Sequence, residues 1–405
     1  MNAWAQGACT IGLTAAKRQY SRREDGQNTS AGTNGIRGLV VRDEEKYVTG
    51  TISARLFKDQ RGIQPHFKQS QRTHTSIMDP KSGQRNLQID TLRGLACIMV
   101  VVFHVIGLSP ECGLRLNEGA LKATRELLGY IHMPLFAFLS GLVYGWRPFS
   151  GNWGVFIEGK IRRLIIPMLV VGTGYVLLQA ITPGANNTYQ EWQYMHIKPV
   201  AHFWFSESIF IIFLAIAVLE HFQLLGTRKR FGIVYIAAVI PFIANMGTIW
   251  FSLVGAIYLL PFFLAGLYCT RFPLRFTHPR TKGYLAIVLT GIFLLLFGQH
   301  NAGDDRSALA LVIATLLCIA LLLTEVKINW LDKVGYYSYS IYIFHVFFTA
   351  ASRIGLMKSG VTNIWALFIV GSVAGIIGPV LVETIAARHD YSRILLLGQK
   401  PSQRS

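Results

Sequence analysis

The chain has 405 residues, 52% of them hydrophobic and only 15% charged, with a formal net charge of +18. From about Leu87 to Ala387 the apolar residues gather into runs near the roughly 20 residues that span a bilayer core, which excludes a soluble domain around one core. β-barrel alternation is absent, and Lys and Arg collect in alternate loops as membrane topology demands, so the charge points to membrane lipids and no nucleic acid.

Residues 1–77 are rich in Arg, Gln, Thr, Gly and Ser, with no spanning run and no apolar secretory core. They read as a disordered tail or as an over-extended start, with Met78 the alternative first residue. Residues 78–387 are then the membrane domain and 388–405 a short cytoplasmic tail. The predicted fold is all-α, a polytopic helical bundle of about ten transmembrane helices, near 88–108, 129–146, 161–182, 200–220, 231–245, 249–270, 282–299, 307–325, 334–352 and 363–386. The fifth is short and carries Pro241. One set of loops with the C-terminal tail holds 17 Lys and Arg against 7 in the other set. The first set is therefore cytoplasmic, with both termini inside. The chain has five cysteines in no zinc-like or disulfide-framework spacing, and no metal is expected.

The first span, LQIDTLRGLACIMVVVFHVIGL, contains Arg93 and His104. Ionisable groups at membrane depth are costly, and so point to function. Eleven helical residues make about three turns and rise roughly 16 Å, so the two side chains share one side. A cation and a base so placed can hold two ends of a long anionic donor, with His104 as general base. The bland alternative is a snorkelling Arg93 paired with Asp90 one turn earlier, and a histidine bonded to a neighbouring helix.

Further along, YIHMPLFAFLSGLVYGW (130–146) places His132 at a helix start and a Ser140-Gly141 pair suited to close helix approach. KIRRLIIP (160–167) clusters Lys160, Arg162 and Arg163, either as ordinary positive-inside charge or as a phosphate site. HFWFSESIF (202–210) brings His202, Trp204 and Glu207; a buried carboxylate needs a partner, and His104 is one candidate. In GYYSYSIYIFH (335–345), Gly335, Ser338, Tyr342 and His345 recur on one helical face, which must meet other helices or a cavity. There is no G-x-S-x-G elbow, no Walker A loop and no H-E-x-x-H.

These motifs resemble the integral-membrane acyltransferase-3 family. IDTLRGLACIMVVVFHV matches its first helix, with the Arg-x10-His spacing met by Arg93 and His104. YIHMPLFAFLSGLVYGW resembles its second-helix motif, and KIRRLIIP, HFWF, LPFFLAGLY and YSYSIYIFH follow in the same order. The resemblance covers about residues 86–385. It implies transfer of an acyl group, most often acetyl from acetyl-CoA, to a hydroxyl of an extracytoplasmic polysaccharide or lipid-linked oligosaccharide, in a bacterial inner membrane. By the same resemblance His104 matches the essential first-helix histidine, Arg93 the donor-handling arginine, and Arg162 and Arg163 the basic pair before the third helix. Glu207 is added as a catalytic candidate from its expected burial. Arg93, Lys160, Arg162 and Arg163 are the expected donor-binding residues; His132, His202, Trp204, Ser338, Tyr342 and His345 are the acceptor-side candidates. Ser140 and Ser338 are the candidates for the oxyanion donor. No hydrolase-like domain follows residue 386, so the membrane-only form is expected. The competing class is a transporter of glycan or lipid-linked sugar; the lack of a clear internal repeat counts against inverted halves.

Overall fold

The computed structural model describes residues 85–107, 112–116, 118–182, 192–272, 276–297 and 306–401, so the reading of residues 1–77 lies outside the described residues. In chain order the helices are α1 (Leu87–Ile106), α2 (Ala120–Gly129), α3 (His132–Trp146), α4 (Trp153–Lys160), α5 (Ile166–Ile181), α6 (Trp204–His221) and α7 (Arg228–Ile243). Then come α8 (Leu253–Arg271), α9 (Pro279–Phe297), α10 (Ala308–Leu323), α11 (Asn329–Tyr336), α12 (Ser338–Lys358), α13 (Ile364–Ala386) and α14 (Asp390–Leu397). No strand occurs among the described residues; a single bridge joins Met195 and Lys198.

A helix meets each of the ten predicted spans, and seven stretches among the described residues are long and apolar enough to cross a bilayer. α10 is an apolar helix of 16 residues, shorter than those seven. The starts are written in the sequence by side-chain caps. Asn86 accepts from the amides of Gln88 and Ile89, and Asn152, Thr227, Ser307 and Asn363 cap their helices in the same way. The outer faces carry apolar side chains at helical spacing. Ile233, Ile236 and Ile240 on α7, and Ile369, Val373, Ile377 and Leu381 on α13, are all exposed, as faces turned to hydrocarbon must be.

Several predicted spans differ in detail. The third begins earlier, at Trp153, and α4 joins α5 through a π-helical turn, Ile161–Ile165, in which the Ile166 amide reaches back to the Ile161 carbonyl. The fourth opens with a 3-10 turn, Ala201–Phe203, before α6. The ninth is interrupted: α11 ends at Tyr336, Tyr337 leaves helical geometry, and α12 starts at Ser338. Gly335 therefore stands on a different helix from Ser338, Tyr342 and His345.

Two crossings fix the bundle, because without a hydrophobic force between helices it is close backbone approach that holds them. At the α3–α8 crossing a Cβ on Gly141 would lie 1.9 Å from the Phe263 carbonyl oxygen, and one on Gly266 would lie 1.9 Å from that of Phe138. At the α1–α11 crossing a Cβ on Gly94 would meet the Leu331 oxygen at 2.0 Å, and one on Gly335 the Asp90 oxygen at 1.8 Å. Each crossing is reciprocal, and only glycine fits at all four positions.

Candidate active site

α1 carries the two ionisable groups of the first span. Near its start, Arg93 Nη1 lies 3.2 Å from Asp90 Oδ1, and the other carboxylate oxygen takes Arg85 Nε at 3.0 Å. Asp90 is buried and joins both guanidinium groups, while Arg85 also covers the Tyr336 ring of α11. Arg93 is thus paired one turn back and remains about a third exposed, with further N–H groups to offer.

Near the other end of α1, His104 Nδ1 sits 2.9 Å from the Val100 carbonyl of its own helix. A carbonyl oxygen can only accept, so Nδ1 carries the hydrogen and Nε2 is the basic nitrogen. His104 is half-buried, and other histidine rings gather around it. His345 of α12 lies with its ring centroid 4.8 Å away, His202 of the 3-10 turn 6.1 Å away, and these two are 5.0 Å from each other. His132 opens α3 and stacks on Phe103, the neighbour of His104, at 4.2 Å. Its Nδ1 is bonded to Leu128 O at 2.7 Å, so its Nε2 is also left basic.

The sequence-nominated residues thus divide. His104, His132, His202 and His345 come together from four segments. Tyr342 is next to them but is tied into the frame: its hydroxyl donates to the His202 carbonyl at 2.8 Å and accepts from the Ser206 amide at 3.2 Å. The Ser338 carbonyl faces Cys97 Sγ at 3.7 Å. The Ser140 hydroxyl donates to the Phe136 carbonyl at 2.8 Å, within its own helix. Trp204 presses on Gly255 of α8, where a Cβ would come within 2.7 Å of its ring.

Glu207 is buried on α6 and accepts a hydrogen bond from the Ser252 hydroxyl, not from an imidazole; its Oε1 has no hydrogen-bond partner. Ser252 and Phe251 both hold left-handed backbone, with φ of 52° each, immediately before α8. Non-glycine residues adopt that geometry at a price in strain, and such strain gathers at functional sites. We expect Ser252→Ala to lower stability by about 1–3 kcal/mol, since it strips a buried carboxylate of its donor. A melting temperature in detergent equal to that of the unaltered protein would show that the hydroxyl is dispensable.

The basic cluster is spread over two neighbours. Lys160 Nζ lies 3.4 Å from the centre of the Phe213 ring on α6, a cation–π contact. Arg162 Nη1 donates to the Gly398 carbonyl beyond α14 at 2.8 Å, whereas Arg163 is exposed.

Several groups escaped the sequence reading. Tyr175 of α5 approaches His202 with ring centroids 6.1 Å apart. Glu383 of α13 is buried, accepting from Ser340 at 2.6 Å and from Gln399 at 3.1 Å. Its acidic side chain inside an apolar run was the available signal. His196, in the loop before α6, lies 2.9 Å from the Thr173 hydroxyl, and burial pushes its imidazole below the ordinary range. Among the described residues no group of three or more His, Cys, Asp or Glu is arranged to hold a metal ion.

A membrane-embedded basic nitrogen, a cation at the far end of the same helix and a buried carboxylate make a setting for transfer chemistry at a hydroxyl. No curated protein and no solved structure matches the chain. A family model described as an acyltransferase domain does match, over residues 86–384, which takes in every helix from α1 to α12 and nearly all of α13. The chain belongs to the acyltransferase-3 family and is a membrane acyltransferase.

Proposed function

We propose that this acyltransferase moves an acyl group, acetyl first among the candidates, from cytoplasmic acyl-CoA to a hydroxyl of an extracytoplasmic polysaccharide or lipid-linked oligosaccharide. The setting is a bacterial inner membrane, with both termini in the cytoplasm. The observation that carries this reading is His104: its Nδ1–H is fixed on Val100, so Nε2 is presented as a base at membrane depth.

The remaining groups support the same direction of traffic. The 17-against-7 bias of Lys and Arg turns the Arg93 end of α1 toward the cytoplasm. Arg93, exposed Arg163 and, after release from their present contacts, Arg162 and Lys160 are the cations for the phosphates of the donor. The pantetheine arm follows the Arg93–His104 side of α1, whose length suits it. The acceptor enters from the other side, with Trp204 as an aromatic platform for a sugar and Glu207 Oε1 as an acceptor for one of its hydroxyls. His104 Nε2 takes the proton of the reacting hydroxyl while its oxygen attacks the thioester carbon.

The test is acyl-CoA consumption by the purified full-length protein in detergent with labelled acetyl-CoA and oligosaccharide acceptors. Acceptor-dependent release of CoA with label in the sugar is the expected result. Movement of a lipid-linked sugar across a vesicle membrane with no thioester cleaved would overturn the reading in favour of transport.

A further inference from the structure

His104 has a second imidazole at its back. His345 is fully buried, at 0% exposure. Its Nδ1 lies 2.8 Å from the Ile341 carbonyl and 2.9 Å from that of Tyr342, both on its own helix. By the same logic as for His104, Nδ1 carries the hydrogen and Nε2 holds a lone pair. That Nε2 is a buried atom with no hydrogen-bond partner. Each ring is anchored to its own helix through Nδ1, so each Nε2 points away from its own backbone. The rings stand 4.8 Å apart at 74°. Two lone pairs cannot bond one another. One added proton turns one nitrogen into a donor, and with the rings edge to face at 4.8 Å a small turn of one of them gives the other its missing partner.

We infer that His345 is a positioning residue that shares the proton taken up by His104, so that the two imidazoles bind one proton as a unit. This rests on the reading of His104 as general base. The proton of the acceptor hydroxyl goes to His104 Nε2 as the new O–C bond forms. It is held between His104 and His345 through the tetrahedral stage. It then leaves on the CoA sulfur as the C–S bond breaks, so the unit ends as it began.

The surroundings leave this role to imidazoles. His202 offers a further lone pair: its Nε2 lies 3.2 Å from the Ile343 carbonyl, and its buried Nδ1 has no hydrogen-bond partner. His132 from α3 adds a neutral ring beyond Phe103. Tyr342, on the same helix as His345, donates to the His202 carbonyl, and Tyr175 of α5 accepts from Gln179 at 2.9 Å. Of the carboxylates on the packed elements, Glu207 of α6 is held through one oxygen by Ser252, and Glu383 of α13 is bonded to Ser340 and Gln399. A shared proton in a water-poor site needs an acceptor already in place, and His345 Nε2 is one.

The experiment is ring-nitrogen NMR on the full-length protein in detergent, with 15N-labelled histidine, titrated over pH. The His104 and His345 signals are expected to change together in one common step, as coupled sites do. His345→Leu removes the acceptor and should move the His104 midpoint to lower pH by about one unit or more, a tenfold change in proton affinity. His345→Gln keeps an acceptor oxygen and should restore most of that shift. Independent titration of the two rings in the unaltered protein overturns the inference even if His345→Leu does not fold; so does an unmoved His104 midpoint in a folded variant. Acyl-CoA turnover is measured in parallel. Its absence would remove the acyl-transfer assignment to His104, whereas the titration reads the sharing of the proton directly.

Discussion

Replacing His104 by alanine should cut acyl-transfer turnover by about two to four orders of magnitude, the usual worth of a positioned base. The loss should fall on kcat, with the donor KM little changed, because the cations proposed for the donor phosphates lie at the other end of α1. The fold should survive. His104 is half-buried, its one described hydrogen bond is to its own helix at Val100, and alanine is the best helix former. Retained thermal stability together with lost turnover isolates the chemistry from the architecture. Turnover equal to that of the unaltered protein would remove His104 as the base and leave the imidazole group as packing.

The largest expected structural effect is at the α3–α8 crossing. Gly266→Val puts its first carbon where the Phe138 carbonyl already stands, 1.9 Å from the oxygen and 2.8 Å from the carbon. Overpacking usually costs about 1–3 kcal/mol. Here the obstacle is backbone and not a side chain that can rotate, so we expect the top of that range or more. The measurement is the yield of monodisperse folded protein and its melting temperature in detergent. Gly232→Ala is the control, since no atom lies within 4 Å of the added carbon there. A Gly266→Val protein that melts with the control would show that the two helices can part without consequence.

The helical segments were legible because each run is long, apolar and bounded by polar caps, a local property of the chain. The pairing of Arg93 with Asp90 was also open to reading, being a contact one turn apart on one helix. What was hidden is tertiary. No periodicity brings His202 and His345 to His104, because the meeting depends on how α1, α12 and the turn before α6 lie against one another. The partner of Glu207 was hidden for the same reason: Ser252 sits in a kink of left-handed backbone that nothing in IWFSLVG announces. The break at Tyr337 is not legible because the 334–352 stretch keeps an unbroken helical pattern, and the tight seat of Gly335 on α1 is a contact between distant segments.

The wide turn at Ile161–Ile165 has a consequence for how this rod meets its surroundings. One backbone bond there spans five residues where the usual ladder spans four, so everything before it is out of phase with everything after. Just before and within it, Lys160 rests on Phe213 while Arg162, two positions on and so on the opposite side of the rod, grips the carbonyl beyond the last helix. A wheel drawn through 153–181 as one regular cylinder would misplace half of its faces. The phase slip rotates the faces of α4 relative to those of α5 within a single rod.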